Sequence, residues 1–107
     1  MQKFQIENFT KGWFIGDFTP SLHPTAEFEV GLKQYKKGDI ENPHYHKIAT
    51  EFTIVVEGKV KMNDTVITKF EGLKVLPGTT VKFEAIEDST TLVIKTPSIT
   101  NDKYTEF

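Results

Sequence analysis

The sequence contains neither cysteine nor arginine. Without cysteine the chain has no disulfide bond, no thiolate ligand for a metal and no cysteine nucleophile. All 13 basic residues are lysine. The guanidinium group is the usual means of holding a carboxylate or a diphosphate through two parallel hydrogen bonds. A site for such a ligand therefore has to use lysine or backbone groups in this chain.

Long hydrophobic runs and blocks of one charge are also missing. No stretch reaches the ~18 apolar residues of a membrane span, and the N-terminal segment MQKFQIENFT lacks the apolar core of a signal peptide. The 13 lysines are balanced by 15 acidic residues and form no basic stripe of the kind that binds nucleic acid. We therefore expect a soluble cytoplasmic protein with no nucleic-acid or membrane partner.

The apolar residues follow the alternating pattern of β-strands, and no stretch has sustained helical periodicity. Turn residues such as Asn63-Asp64 and Pro77-Gly78 separate the candidate strands. The predicted strands comprise residues 27–35, 52–56, 59–62, 65–69, 73–76, 81–84 and 91–95. Many short strands at regular spacing are typical of a sandwich or barrel. The sequence thus predicts one all-β domain over residues 1–107.

The two ends of the chain give weaker signals. Trp13, Phe14, Ile15 and Phe18 form an aromatic and apolar cluster before the first predicted strand. The cluster is expected to cover a sheet face or the end of a barrel, and the alternative is a subunit interface. The polar tail, residues 95–104, is expected to cap the domain, and its last residues suggest no site chemistry.

Three side chains in the middle of the chain form a candidate metal site. His44 and His46 are two residues apart, so on a strand both imidazoles point to the same face. Glu51 follows after a short connection, at the start of the next predicted strand, on a face that continues with Thr53 and Val55. Two imidazoles and one carboxylate suit zinc, iron, nickel or manganese and leave open positions for water or substrate.

These residues occur in a longer pattern, G-x5-H-x-H-x4-E-x6-G, which Gly38, His44, His46, Glu51 and Gly58 meet in full. The pattern resembles the first motif of the cupin superfamily. The resemblance covers most of the chain and implies an antiparallel β-barrel or double-sheet jelly roll with a pocket in its mouth, often as a homodimer. It also implies that a bound metal is held by the two histidines, the glutamate and one histidine from a second motif.

The second cupin motif is incomplete in this sequence. Gly72, Pro77 and Gly78 fit its framework, but Val81 occupies the position of the expected histidine. Alternation places Val81 and Phe83 on the inward face together with Thr79, which is only a weak substitute ligand. Two outcomes follow: a metal site with three protein ligands, or a site without metal in which His44 and His46 act as an acid–base pair.

Other polar residues near the predicted pocket are less specific. His23 lies in a predicted loop and is a candidate fourth ligand if that loop folds over the barrel mouth. Tyr35 is a candidate acid, and it competes with Gln34 for the inward position on its strand because neighbouring residues point to opposite faces. Tyr45 alternates with the two histidines and is expected to point away from them.

The sequence supports three functions. The first is a metal-binding cupin that acts on a small polar molecule, such as a sugar or a carboxylate. The second resembles the sugar-nucleotide ketoisomerases of the cupin class and uses His44 or His46 as a base without metal. The lack of arginine for a diphosphate argues against it. The third is a binding or sensor module without catalysis, so the sequence leaves open whether the protein is an enzyme.

Overall fold

The computed structural model describes residues 1–107 and contains nine β-strands. The strands are β1 (Trp13–Ile15), β2 (Glu29–Tyr35), β3 (Ile40–His44), β4 (Thr50–Glu57), β5 (Lys59–Met62), β6 (Thr65–Thr68), β7 (Gly72–Val75), β8 (Val81–Ala85) and β9 (Ser89–Thr96). Two short 3-10 turns, Ile6–Asn8 and Thr10–Gly12, precede β1. No helix has the length and apolar character needed to cross a membrane.

The strands form two antiparallel sheets. One has the order β1-β2-β9-β4-β7 and the other the order β3-β8-β5-β6. No hydrogen-bonded ladder joins the two sheets, so the structure is an open pair of sheets rather than a closed barrel. The predicted all-β fold is confirmed in its double-sheet form. The predicted hairpin is also present, with Met62 paired to Thr65 across the Asn63-Asp64 turn.

An apolar core fills one part of the space between the sheets. It is formed by eight buried side chains from β4 to β8: Val55, Val60, Met62, Ile67, Val75, Val81, Phe83 and Ala85. The alternating residues of β8 show the predicted pattern, since Val81 and Phe83 are buried and Lys82 is exposed. Burying each large apolar side chain contributes about 1.5–3 kcal/mol, so this core holds the sheets together.

Two motif glycines are required for different reasons. Gly38 has φ +90 and empty space where a Cβ would stand, so only the left-handed backbone conformation calls for glycine. Gly58 has φ +95, and a Cβ there would lie 2.4 Å from the carbonyl oxygen of Asp88. Gly58 therefore also allows the β4–β5 turn to approach the residue before β9. These glycines shape the backbone on either side of the site and contribute no ligand.

Three residues of the N-terminal aromatic cluster form the edge strand β1, and within it Trp13 covers a sheet face, as the first of the two interpretations predicts. Trp13 in β1 is paired with Gly31 in β2, and a Cβ on Gly31 would lie 2.7 Å from the indole ring. Only glycine lets the ring lie this close to the strand. The indole ring therefore forms part of the wall of a cavity between the two sheets.

Candidate functional site

A cavity of about 280 Å3 lies between the sheets, next to the apolar core. His44, His46, Glu51 and Tyr35 all line it, together with Trp13 and the core residues Met62, Val81 and Phe83. A larger, more open groove of about 850 Å3 runs along the N-terminal turns. Neither of the two histidines lines this groove, and Glu51 does not line it either. The smaller cavity is therefore the candidate functional site.

The two histidines face this cavity together, as their spacing predicts. His44 is the last residue of β3, and His46 follows one residue after the strand ends. Both side chains are buried, with 8% and 6% relative exposure, and their ring centroids are 5.5 Å apart. Tyr45 between them points away and stacks on Tyr104 with a centroid distance of 5.5 Å.

Pro43 lies just before His44, inside β3, where it would break the ladder of a central strand. The structure accommodates it because β3 is an edge strand of its sheet. The register with β8 also shifts between Glu41 and His44. This irregularity sets where β3 presents His44 to the cavity.

Glu51 comes from the other sheet. It is the second residue of β4 and points inward with Thr53 and Val55, as predicted. Its Oε1 lies 3.8 Å from Nε2 of His46, and the hydroxyl of Thr53 donates a hydrogen bond to its Oε2 at 3.1 Å. The site therefore bridges the two sheets, and Thr53 fixes the direction of the carboxylate.

Hydrogen bonds to backbone carbonyls orient both imidazole rings. Nδ1 of His44 lies 3.1 Å from the carbonyl oxygen of Asn42, and Nδ1 of His46 lies 2.8 Å from that of Asp102. A carbonyl oxygen can only accept, so we assign the proton to Nδ1 in both rings, which leaves a lone pair on each Nε2. Metal-bound histidines commonly have this arrangement, because the carbonyl fixes the tautomer and the ring orientation.

Nε2 of His46 is buried and has no hydrogen-bond partner. An unpaired buried polar atom costs free energy. Burial lowers the pKa of His46, and the charge of Lys95 adds to this effect, so the neutral ring is favoured. A neutral, buried imidazole whose lone pair has no partner and lies beside a carboxylate is a suitable ligand for a metal ion.

The three predicted ligands are not assembled around one point. No group of three or more histidine, aspartate and glutamate side chains is placed to hold an ion in common. The donor chemistry of His46 and Glu51 fits a metal ion, and His44 lines the same cavity. The rings of the two histidines are inclined at 78°, and their centroids are 5.5 Å apart.

The second motif supplies no fourth ligand. Val81 in β8 is buried and pairs directly with His44 in β3. A histidine at position 81 would therefore lie next to the site. Thr79 is exposed and lies outside the cavity, so it is no substitute ligand. The motif still supports the site through its backbone, because the N–H of Gly78 donates to the carbonyl oxygen of His46 at 2.6 Å.

The structure also resolves the alternatives among the other polar residues. Tyr35 points into the cavity, and Gln34 is exposed. The Tyr35 hydroxyl donates a hydrogen bond to Glu41 at 3.3 Å, and burial, reinforced by Glu41, raises its pKa far above 10.0. Tyr35 is therefore a protonated donor at neutral pH. His23 is exposed and does not line the cavity, so it is not the missing ligand.

Asp102 holds the loop next to the candidate site, and the sequence did not reveal this interaction. It is buried, with 5% relative exposure, and its carboxylate accepts hydrogen bonds from the N–H groups of Lys47, Ile48 and Ala49 at 2.9–3.3 Å. Burial acts to raise its pKa, but these hydrogen bonds outweigh that effect and lower it. Asp102 thus ties the C-terminal tail to the connection between His46 and Glu51.

The separation along the chain explains why this interaction was missed. Asp102 lies more than 50 residues from the loop that it holds, and no local spacing signals such a pairing. Lys33 and Lys95 line the cavity as well and were not among the predicted site residues. Their inward position follows the alternation of β2 and β9, where Tyr35 and Thr91 also face inward, so strand periodicity alone would have indicated it.

Neither a protein-family profile nor a curated protein sequence matches the chain. Among solved structures it is similar to an RmlC-like cupin protein from Desulfovibrio desulfuricans, with 25% identity and a TM-score of 0.63. That match covers 73% of this chain and 79% of the other. It is also similar to a Klebsiella pneumoniae protein with a double-stranded β-helix domain, with 12% identity, a TM-score of 0.71 and coverage of 91% and 85%.

A third similar structure is oxalate decarboxylase from Bacillus subtilis, with 16% identity and a TM-score of 0.65. The match covers 75% of this chain but only 24% of that enzyme. These proteins share the fold of two facing antiparallel sheets that the strand order describes. The likeness shows that the chain has the double-sheet fold of the cupin proteins, in agreement with the resemblance of its first motif.

Proposed function

We propose that this protein binds a divalent transition metal through His44, His46 and Glu51 and acts on a small polar molecule, a sugar or a carboxylate, in the adjoining cavity. The observation that carries the proposal is the buried, unpartnered Nε2 of His46, which lies 3.8 Å from the Glu51 carboxylate. Zinc, iron, nickel and manganese all accept this mixture of imidazole and carboxylate ligands.

A bound metal would supply Lewis-acid or oxygen-activating chemistry. The protein's own residues hold and shield the reacting molecule. Thr53 and Asp102 orient Glu51 and His46, respectively. The hydroxyl of Tyr35, which donates to Glu41, can accept a hydrogen bond from the reacting molecule, and Trp13 forms an apolar wall. A volume of about 280 Å3 restricts the substrate to a small molecule.

The structural neighbours support this proposal at the level of the fold. Oxalate decarboxylase, one of the similar structures, is named for a small dicarboxylate substrate. One fold hosts many chemistries, so the substrate class has to come from the side chains that line the cavity.

The test is the metal content of the protein purified without a histidine tag. We expect about one equivalent of transition metal in the natural protein and none in a His44→Ala/His46→Ala variant, because the variant leaves a single carboxylate ligand. His23→Ala is the matched control, since it removes an exposed histidine outside the cavity and should retain the metal. A natural protein that stays empty after incubation with each metal would contradict the proposal.

A second candidate function follows from the same histidine. The lowered pKa of His46 and its free Nε2 also suit a general base that abstracts a proton next to a carbonyl without metal. In that case the metal-free protein should exchange protons of keto-sugars with solvent, and the exchange should be lost in His46→Gln. A pure binding module would instead show ligand-induced stabilisation without product.

The cupin resemblance also implies a homodimer. We expect the protein in solution to have about twice the mass of the chain, which light scattering coupled to gel filtration measures directly. A monomeric mass at all accessible concentrations would contradict this prediction.

A further inference from the structure

The cavity carries more positive charge than the rest of the protein. Four of the 13 lysines line it, namely Lys11, Lys33, Lys95 and Lys103, against two glutamates, Glu41 and Glu51. With histidine counted as neutral, the lining has an excess of two positive charges, whereas the whole chain has a net charge of −2. A cavity with an excess of one charge attracts ligands of the opposite charge.

Lys33 and Lys95 extend from neighbouring strands, β2 and β9, on the inner face of one sheet. Their Nζ atoms lie 5.3 and 5.0 Å from the centroid of the Trp13 ring, so the two ammonium groups share one aromatic side chain. Lys95 also pairs in register with Glu51 on β4, which places it directly beside the candidate metal ligand. These two lysines therefore stand between the aromatic wall and the site.

Neither ammonium group belongs to an ion pair, since the ion pairs of the protein involve other side chains. Lys33 donates one hydrogen bond, to the carbonyl oxygen of Lys11 at 2.8 Å, and an ammonium has three donors. Burial lowers the pKa of Lys33, and the charge of Glu41 opposes that shift only in part. Two half-buried ammonium groups that make no direct ion pair with a carboxylate would gain from a bound anion.

A second observation at the same place is independent of charge. The hydroxyl of Thr91 is buried, lines the cavity and has no hydrogen-bond partner. Thr91 pairs in register with Lys33, so this hydroxyl and the ammonium belong to adjacent side chains on one face. A ligand oxygen bound by Lys33 would also give Thr91 a partner, because a hydroxyl can both donate and accept.

We propose that Lys33 and Lys95 form an anion-binding subsite for a carboxylate of the substrate, which places the rest of the molecule between Trp13 and the His46–Glu51 pair. This inference rests on the proposed function and narrows its substrate class from polar to acidic molecules. A carboxylate offers two acceptor oxygens, one for each of the two ammonium groups. Lysine serves here in place of the arginine that the chain lacks.

The test uses metal-free protein and malonate as the probe, with uncharged malonamide and inorganic phosphate for comparison. We expect malonate to bind in a calorimetric titration, malonamide not to bind, and phosphate to bind no more tightly than malonate. Binding should weaken as ionic strength rises from about 0.01 M to about 0.1 M. Lys33→Met and Lys95→Met should each weaken malonate binding about tenfold, because each removes a charge-assisted hydrogen bond and keeps most of the apolar part of the side chain.

Lys82→Met is the matched control, because Lys82 is exposed on the outer face of β8. It should bind malonate as the natural protein does, and circular dichroism should show that all three variants are folded. Malonate binding that is absent, or equally strong in the Lys33 and Lys95 variants, overturns the subsite. Tighter binding of phosphate with the same lysine dependence overturns its assignment to a carboxylate.

The metal-content measurement remains separate from this titration. If malonate binds through the two lysines and no metal ever binds, the subsite stands and the metal-dependent function fails. If metal binds through the histidines and malonate does not bind, the function stands and the subsite fails.

Discussion

Replacing Asp102 by alanine is expected to lower the free energy of unfolding by about 3 kcal/mol. The substitution removes the acceptor of three backbone N–H groups, those of Lys47, Ile48 and Ala49. Hydrogen bonds to a charged group contribute about 1.5–3 kcal/mol each when buried, and access of water to the exposed Lys47 and Ile48 reduces the sum. Urea unfolding followed by tryptophan fluorescence measures the change, since Trp13 is the only tryptophan.

The matched control is Asp88→Ala. Asp88 is exposed, and its carboxylate accepts a single backbone hydrogen bond, from Lys37 at 2.8 Å. Its loss should cost at most about 1 kcal/mol. If the two variants are destabilised equally, Asp102 has no special role in holding the loop.

The Asp102 variant should also bind metal more weakly, by about 10-fold to 100-fold. The backbone carbonyl of Asp102 accepts the hydrogen bond from Nδ1 of His46, and the carboxylate keeps that segment in place. Loosening the segment releases the imidazole from the orientation in which its Nε2 faces Glu51. Titration with zinc against a chelating dye measures this effect, and an unchanged affinity would show that the tail acts on stability alone.

The contribution of the Asp102 charge depends on pH in a defined direction. Its pKa is lower in the folded protein than its ordinary value of 3.8. The ionised form therefore stabilises the fold fully above pH 3.8, and this stabilisation is lost as pH falls through the folded pKa. The difference in stability between the natural protein and Asp102→Asn should be constant between neutral pH and about 4 and shrink below that.

Introducing histidine at position 81 is expected to raise the affinity for zinc by about 100-fold to 1000-fold. Val81 occupies the histidine position of the second motif and lies directly opposite His44 in the β3–β8 pairing. A structural zinc site with four ligands has a binding free energy of about 10–16 kcal/mol, so one added ligand contributes about 2.5–4 kcal/mol. Val81→His should therefore complete the ligand set that the sequence leaves one short.

The Val81→His substitution should raise the affinity for zinc but lower the stability of the metal-free protein. Val81 has 6% relative exposure and belongs to the apolar core, so a buried imidazole without a metal should destabilise the fold by about 1–3 kcal/mol. Lys82→His is the matched control, because the neighbouring side chain points outward. A gain in affinity that is equal in both variants, or absent in Val81→His, would contradict a metal site at His44, His46 and Glu51.

Local spacing determined the features that the sequence predicted correctly. The two-residue period of a strand puts His44 and His46 on one face, and the same period makes Val81 and Phe83 inward and Lys82 outward. The first motif lies within residues 38–58, so its glycines, histidines and glutamate are set by short-range geometry. The all-β fold and the missing fourth ligand could be inferred without knowing how the sheets face each other.

The tertiary structure decided which distant side chains surround those residues. Asp102 reaches the loop after His46 from the far end of the chain, and Lys95 stands beside Glu51 only through the register of β9 with β4. Trp13 reaches the cavity because Gly31 leaves room for its ring. Such contacts depend on strand order and register, which a single sequence does not encode in any local period. The sequence by itself determined the fold class and the candidate ligands, whereas the packing of the two sheets determined the charge and shape of the cavity around them.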